Sequence, residues 1–168
     1  MALTVGTNSF ISVADADIYF SNRLDSTKWD DADTATKEQA LIQATTILNP
    51  NNWIGYVEDT TQELAFPRIG EYYEPVYGQY IPMTDIPKRV QNATCENALH
   101  QITHEGVLNS GSGSELDKIV VGSITLEGKL GGSTGDVSDT PEYADDLILP
   151  LIDNSSNPQA SNIWWRAN

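Results

Sequence analysis

Apolar residues recur at helical spacing in four stretches of this chain and at strand spacing in one. The first helical stretch opens at Ser12, an N-cap with Asp15 three residues later as a capping box, and continues VADADIYFSNRL with Ala16, Phe20 and Leu24 on one face. This spacing predicts a helix over 13–24. The second opens between Thr34 and Thr36 and reads KEQALIQATTILNP, where Ala40, Leu41, Ala44, Ile47 and Leu48 form the clearest stripe in the chain and Pro50 ends it. The third opens at Asp85, carries Pro87 in its first turn, aligns Val90, Thr94, Ala98 and Ile102, and runs to Gly106 as its stop. The fourth, PEYADDLILPLI, places Ala144, Leu147, Ile148, Leu151 and Ile152 on one stripe, with Pro150 near its end. The strand-like stretch is KIVVGSITLEGKL, with β-branched residues on both sides of Gly122-Ser123, which predicts a short hairpin within 118–130.

Residues 51–86 follow neither period. Pro67, Pro75 and Pro82 with Gly55, Gly70 and Gly78 forbid a long helix there, and the segment is loaded with Trp53, Tyr56, Phe66, Tyr72, Tyr73, Tyr77 and Tyr80. A loop of this length inside a small domain is either functional or wrapped over a core. NSGSGSE (109–115) and GGSTGDVSDT (131–140) read as flexible linkers. The expected fold is therefore mainly α: a bundle of about four helices with a long aromatic loop, a short β-hairpin and an extended C-terminal tail. One domain over 1–153 and an interaction tail over 154–168 follow, and there is no internal repeat.

Charge narrows the function. With 24 acidic and 9 basic side chains the net charge is −15, which repels phosphate and is the reverse of a backbone-driven nucleic-acid binder. Cys95 is the single cysteine and sits among alternating small and apolar residues, so it reads as a packed core thiol rather than a reactive one. The N-terminus lacks the basic and apolar regions of a signal peptide, and no stretch approaches a membrane span, so a reducing cytoplasm and no membrane partner are expected. The sequons at Asn92 and Asn154 then carry no glycan message.

Candidate chemistry is sparse. His100 and His104 share a helix face with Glu96, and HQITH imitates a zinc-protease helix, but Gln101 stands where the general base belongs and no third ligand follows. GGSTG (131–135) lacks the lysine of a phosphate loop, and no nucleophile motif appears. The acidic group Asp30, Asp31 and Asp33 reads as a solvated turn. No catalytic residue, metal or cofactor is assigned. The aromatic segment suits core cover or a protein interface better than base stacking, since Arg68, Lys88 and Arg89 are outnumbered by Glu58, Asp59, Glu63, Glu71 and Glu74.

Four motifs in order, TNSFISVADADIYFSNRL, KEQALIQATTIL, QELAFPR and IPKRVQNATCENAL, resemble a family of tailed-bacteriophage head-to-tail connector, or adaptor, proteins that are often labelled DnaT-like single-stranded DNA-binding proteins. The resemblance covers 3–106, with a looser echo in VGSITLEG and LILPLI. Phe66 stands where that family usually has Trp, and Asn97 where it usually has Leu. The resemblance implies a structural, non-enzymatic subunit of the virion. Such subunits form a self-assembled, usually dodecameric ring between the portal protein and a tail or nozzle protein, made in the host cytoplasm, through which DNA passes without specific binding. An acidic channel wall would suit that role. Arg68 would be held by an acid or a backbone carbonyl after the Pro67 turn, while Phe66, Tyr72, Tyr73, Tyr77 and Tyr80 would cover the bundle or form the subunit contact. The ending SNIWWRAN adds Ile163, Trp164, Trp165 and Arg166 as an anchor on a polar tether, the alternative being that the tryptophans fold back on their own bundle. Single-stranded DNA binding and a metal-dependent hydrolase built on His100 and His104 are the rival readings.

Overall fold

The computed structural model describes residues 2–104, 119–121, 124–126 and 140–153. Among these residues the fold is mainly helical: α1 (Val13–Phe20), α2 (Thr27–Asp31), α3 (Thr34–Leu48), α4 (Lys88–Thr103) and α5 (Glu142–Ile148), which runs on into a 3-10 turn at Leu149–Leu151. Three two-stranded antiparallel sheets accompany them: β1 (Tyr56–Val57) with β2 (Arg68–Ile69), β3 (Glu71–Glu74) with β4 (Gln79–Pro82), and β5 (Ile119–Val121) with β6 (Ile124–Leu126). The β5–β6 pair, in register Val121 to Ile124, is the hairpin the sequence predicts.

Local signals set most boundaries. Ser12 Oγ accepts from the Asp15 amide at 3.1 Å and donates to Asp15 Oδ2 at 2.6 Å, closing the first turn of α1. α1 nevertheless stops at Phe20, short of the predicted Leu24, and Leu24 is fully exposed. Its spacing continues the stripe but its backbone does not. α3 is capped by Asp33, whose side chain accepts from the Thr36 amide at 2.7 Å, and so the acidic turn has one member with a defined task.

The helix α2 is a correction to the reading of 30–33 as a mere solvated turn. It holds Trp29, fully buried, against Phe20 with ring centroids 4.6 Å apart. The indole Nε1 donates to Asp17 Oδ1 at 2.8 Å, so the polar end of the ring is satisfied as its body is packed.

α4 is the central element. Its run Ala93-Thr94-Cys95-Glu96-Asn97-Ala98 is buried throughout, and the helix packs against α1, α2, α3 and α5. Val90 and Ala93 join one apolar cluster with Phe10, Leu48, Trp53, Phe66, Tyr72, Met83, Ile148 and Leu151, whereas Cys95 and Ala98 join a second with Ile11, Phe20, Trp29 and Leu41. Burial pushes the Cys95 thiol up to about 12, as expected of a packed cysteine. The buried Glu96 is paired with Arg23, which also engages Asp25, and accepts from the Tyr19 hydroxyl, whose pKa is raised well above the ordinary tyrosine value by burial and by that carboxylate. Asn97 has no exposed surface. Its Oδ1 accepts from Gln101 at 3.3 Å and its Nδ2 has no hydrogen-bond partner, a cost that the leucine of the resembled family would not carry.

Residues 51–86 are not a loop. Gly70 links the β1–β2 and β3–β4 pairs, and the amide of Met83 reaches Gly70 O at 3.0 Å. Gly55, with φ +76°, is required where it stands, because a Cβ there would lie 2.3 Å from the Ile69 carbonyl oxygen. The chain after the 3-10 turn closes over this part: Ile152 bridges to Trp53, and the Asp153 amide donates to Asn52 O at 2.7 Å.

Candidate functional site

Burial along β3 alternates, with Glu71 and Tyr73 outward and Tyr72 and Glu74 inward. Tyr72 is a core residue, 5 % exposed. On the outer face the cross-strand register sets Tyr73 opposite Tyr80, ring centroids 5.6 Å apart and edge to face. Tyr73, Tyr77 and Tyr80 are 47 %, 69 % and 67 % exposed, and Tyr56 on β1 is exposed too. The open edge of β4 includes Pro82, which has no amide to donate, so strand addition is blunted and the face is offered through its side chains.

Glu74 fixes this hairpin to the body. Its Oε1 accepts from the Val76 amide at 3.0 Å, capping the 75–78 turn, and both carboxylate oxygens take the Arg89 guanidinium at 2.6 Å. Tyr72 Oη adds a longer bond of 3.3 Å. The Arg89 hydrogen bonds, with the turn amide, hold Glu74 down at about 2 despite its burial. The remaining Arg89 nitrogen, Nη1, reaches Leu147 O at 3.4 Å, so one arginine ties hairpin, α4 and α5 together. Behind the hairpin lies an open cleft of about 550 Å³, lined among others by Tyr77, Ile81, Lys88, Arg89, Asn92 and Leu147.

Arg68 resolves as one of the two expected alternatives: carbonyls, with no acid. Its Nε donates to Ile54 O at 2.8 Å, Nη1 to Ala65 O at 3.2 Å, and Nη2 to Gly55 O at 2.6 Å and Trp53 O at 3.1 Å. Burial lowers its pKa from the ordinary arginine value. Phe66 is 1 % exposed, packed edge-on to Phe10 and Trp53, and its peptide bond to Pro67 is cis. Both hold the scaffold: Phe66 inside the core, Arg68 half-buried with its guanidinium spent on carbonyls. Of the proposed interface residues the structure thus pairs Tyr73 with Tyr80 on the outer face, sets the exposed Tyr77 at the cleft, buries Tyr72 and Phe66, and leaves Arg68 half-buried. Ile163, Trp164, Trp165 and Arg166 lie outside the described residues. Two site residues went unremarked as such, Glu74 and Asn92: a buried glutamate reads as surface in any polarity pattern, and Asn92 stood out only as a sequon.

His100 and His104 stack with ring centroids 4.2 Å apart, and His104 Nδ1 lies 2.9 Å from His100 O. Among the described residues no group of three or more His, Cys, Asp or Glu side chains is placed to hold a metal ion. No helix among them is long and apolar enough to cross a membrane.

Fold and site together define a small, mainly helical domain that displays a tyrosine-faced β-hairpin beside an open cleft. The chain belongs to the family described as "Putative DnaT-like ssDNA binding protein", whose model matches residues 2–166. No curated protein and no solved structure matches it significantly. The family finding overturns the head-to-tail connector reading: the description that goes with the match is of single-strand binding. The physical reason for the error is visible in the motifs. Ser12, the α3 stripe, Phe66, Arg68 and the buried face of α4 are capping, packing and loop-holding residues, so their order reports a fold and carries no information about an assembly.

Proposed function

We propose that the chain is a non-enzymatic module that binds single-stranded nucleic acid by stacking bases on the outer face of the tyrosine hairpin. The observation that carries this reading is the outward, exposed Tyr73–Tyr80 pair in a member of a family described as single-strand binding. Phosphate neutralisation contributes little. Of the described cations, Arg23, Lys37 and Arg89 are paired with carboxylates and Arg68 is engaged by four carbonyls, which leaves Lys28 and Lys88. With one or two phosphates neutralised, the slope of log affinity against log salt is shallow, on the order of −0.7 per contact, and screening of the repulsion between a chain of net charge −15 and the strand flattens it further.

Fluorescence anisotropy with a labelled oligonucleotide of roughly twelve nucleotides tests the reading. Wild type binds the single strand in preference to the duplex, and Tyr73→Ala with Tyr80→Ala weakens binding by on the order of tenfold to a hundredfold, the loss of one stacked base. Equal affinity of the double variant and wild type, or no binding by wild type even at low salt, rejects it. The net charge favours a second reading, in which the same tyrosines dock on a protein surface. Protein association lost in the double variant, with oligonucleotide binding absent throughout, distinguishes the two.

A further inference from the structure

We propose that the cleft behind the hairpin is a pocket for one unstacked base of the bound strand, its polar edge on the Asn92 carboxamide and its neighbouring phosphate at Lys88; this rests on the single-strand reading above. The cleft, about 550 Å³, is within the size range of small-molecule sites, and Tyr77, Ile81 and Leu147 give it the apolar walls a base needs. Its polar groups are not equivalent. Arg89 and Glu74 hold each other and are unavailable. Asn92 differs: its side chain makes no hydrogen bond within the described protein, and its Oδ1 is shut off from solvent without a partner. Turning that amide toward the cleft breaks no existing bond and satisfies a group the free protein leaves unpaired.

A carboxamide presents one donor and one acceptor side by side, the complement of the Watson–Crick edge of a base. In a duplex that edge is occupied; in a single strand it is open. The pocket therefore adds to stacking on the hairpin a second physical reason to prefer one strand over two. Lys88 lines the same cleft, reaches only the neutral Gln91 Oε1 at 3.3 Å, and has no carboxylate partner among the described residues, so its charge is available to the phosphate of the inserted nucleotide.

Anisotropy titrations of wild type, Asn92→Leu, Asn92→Ala and Lys88→Gln with one labelled oligonucleotide, single-stranded and annealed, test this, with thermal unfolding confirming that each variant is folded. Asn92→Ala removes the amide without filling the cleft and stands in where leucine disturbs the packing. The expected result is that both Asn92 variants lose on the order of tenfold in single-strand affinity and much of the single-over-double preference, while Lys88→Gln lowers the salt slope by about 0.7 to 1. If all these variants keep wild-type affinity, preference and slope while the Tyr73 and Tyr80 double variant loses binding, the pocket is overturned and the stacking surface stands. If wild type binds no oligonucleotide, both fall.

Discussion

Phe20 and Trp29, in the helical part of the domain, have no exposed surface, whereas Tyr73, Tyr77 and Tyr80 in the strand-built part leave about half or more of theirs to solvent. The helical aromatics meet at 4.6 Å inside a cluster that also takes Ile11, Leu41 and Cys95. The tyrosine pair meets at 5.6 Å with no cover. Both arrangements use aromatic contact, yet only the first removes large apolar area from water, and only that removal contributes strongly to folding. The hairpin is held by other means: Glu74 and Arg89 fix its turn, Arg68 fixes the chain at its base, and inward Tyr72 completes the core. Its outer face is thus free of structural duty, which is the condition under which exposed aromatics suggest recognition.

This contrast can be broken at three points. Trp29→Ala strikes the buried half and should lower unfolding free energy in urea by about 3–5 kcal/mol; a loss below about 1 kcal/mol would place Trp29 outside the core. Glu74→Gln strikes the joint between the halves. The folded-state pKa of Glu74, about 2, lies below its ordinary 4.5, so its contribution is present in full above the unfolded value and fades as pH falls from about 5 toward 2. The glutamine variant should lose about 1–2 kcal/mol at neutral pH, allowing for solvent screening at the cleft, and its stability should vary less across that acid window than that of wild type. Parallel profiles for the two proteins would show that the ion pair is not coupled to folding. Tyr73→Ala with Tyr80→Ala strikes the displayed half and should cost less than about 1 kcal/mol by thermal unfolding, the scale of one cross-strand pair. A loss as large as that of Trp29→Ala would make the pair structural and remove its claim to be a binding surface.

The sequence made the two long helices legible because α3 and α4 carry enough turns for a stripe to repeat, with Pro50 and Pro87 as punctuation. α2 escaped because TKWDD is barely one turn and its single buried residue has no period to belong to. Residues 51–86 escaped for a different reason. The inward positions of β3 are Tyr72 and Glu74, and a strand whose buried face includes a glutamate shows no alternation of polarity; Glu74 becomes an inward residue only when Arg89, 15 positions away, folds against it. The same distance hid the site. Tyr73 and Tyr80 were visible as candidates, but so was Tyr72, and only the register of β3 with β4 separates displayed from packed among them. Lys88 and Asn92 are brought to the cleft by one turn of α4, and nothing in their local sequence marks them as neighbours of Tyr77.

One buried atom gives this molecule a clock. Cys95 is its single cysteine, it is buried on α4, and burial pushes its thiol up to about 12, so almost no thiolate is present at neutral pH to attack an alkylating reagent while the helix stays packed. Labelling must wait for α4 to come away from α1 and α3, and its rate under fast reclosing reports the free energy of that opening without any denaturant. A second cysteine placed at the hairpin tip would react at once, so one reaction mixture, followed by mass, would time surface encounter and core opening side by side.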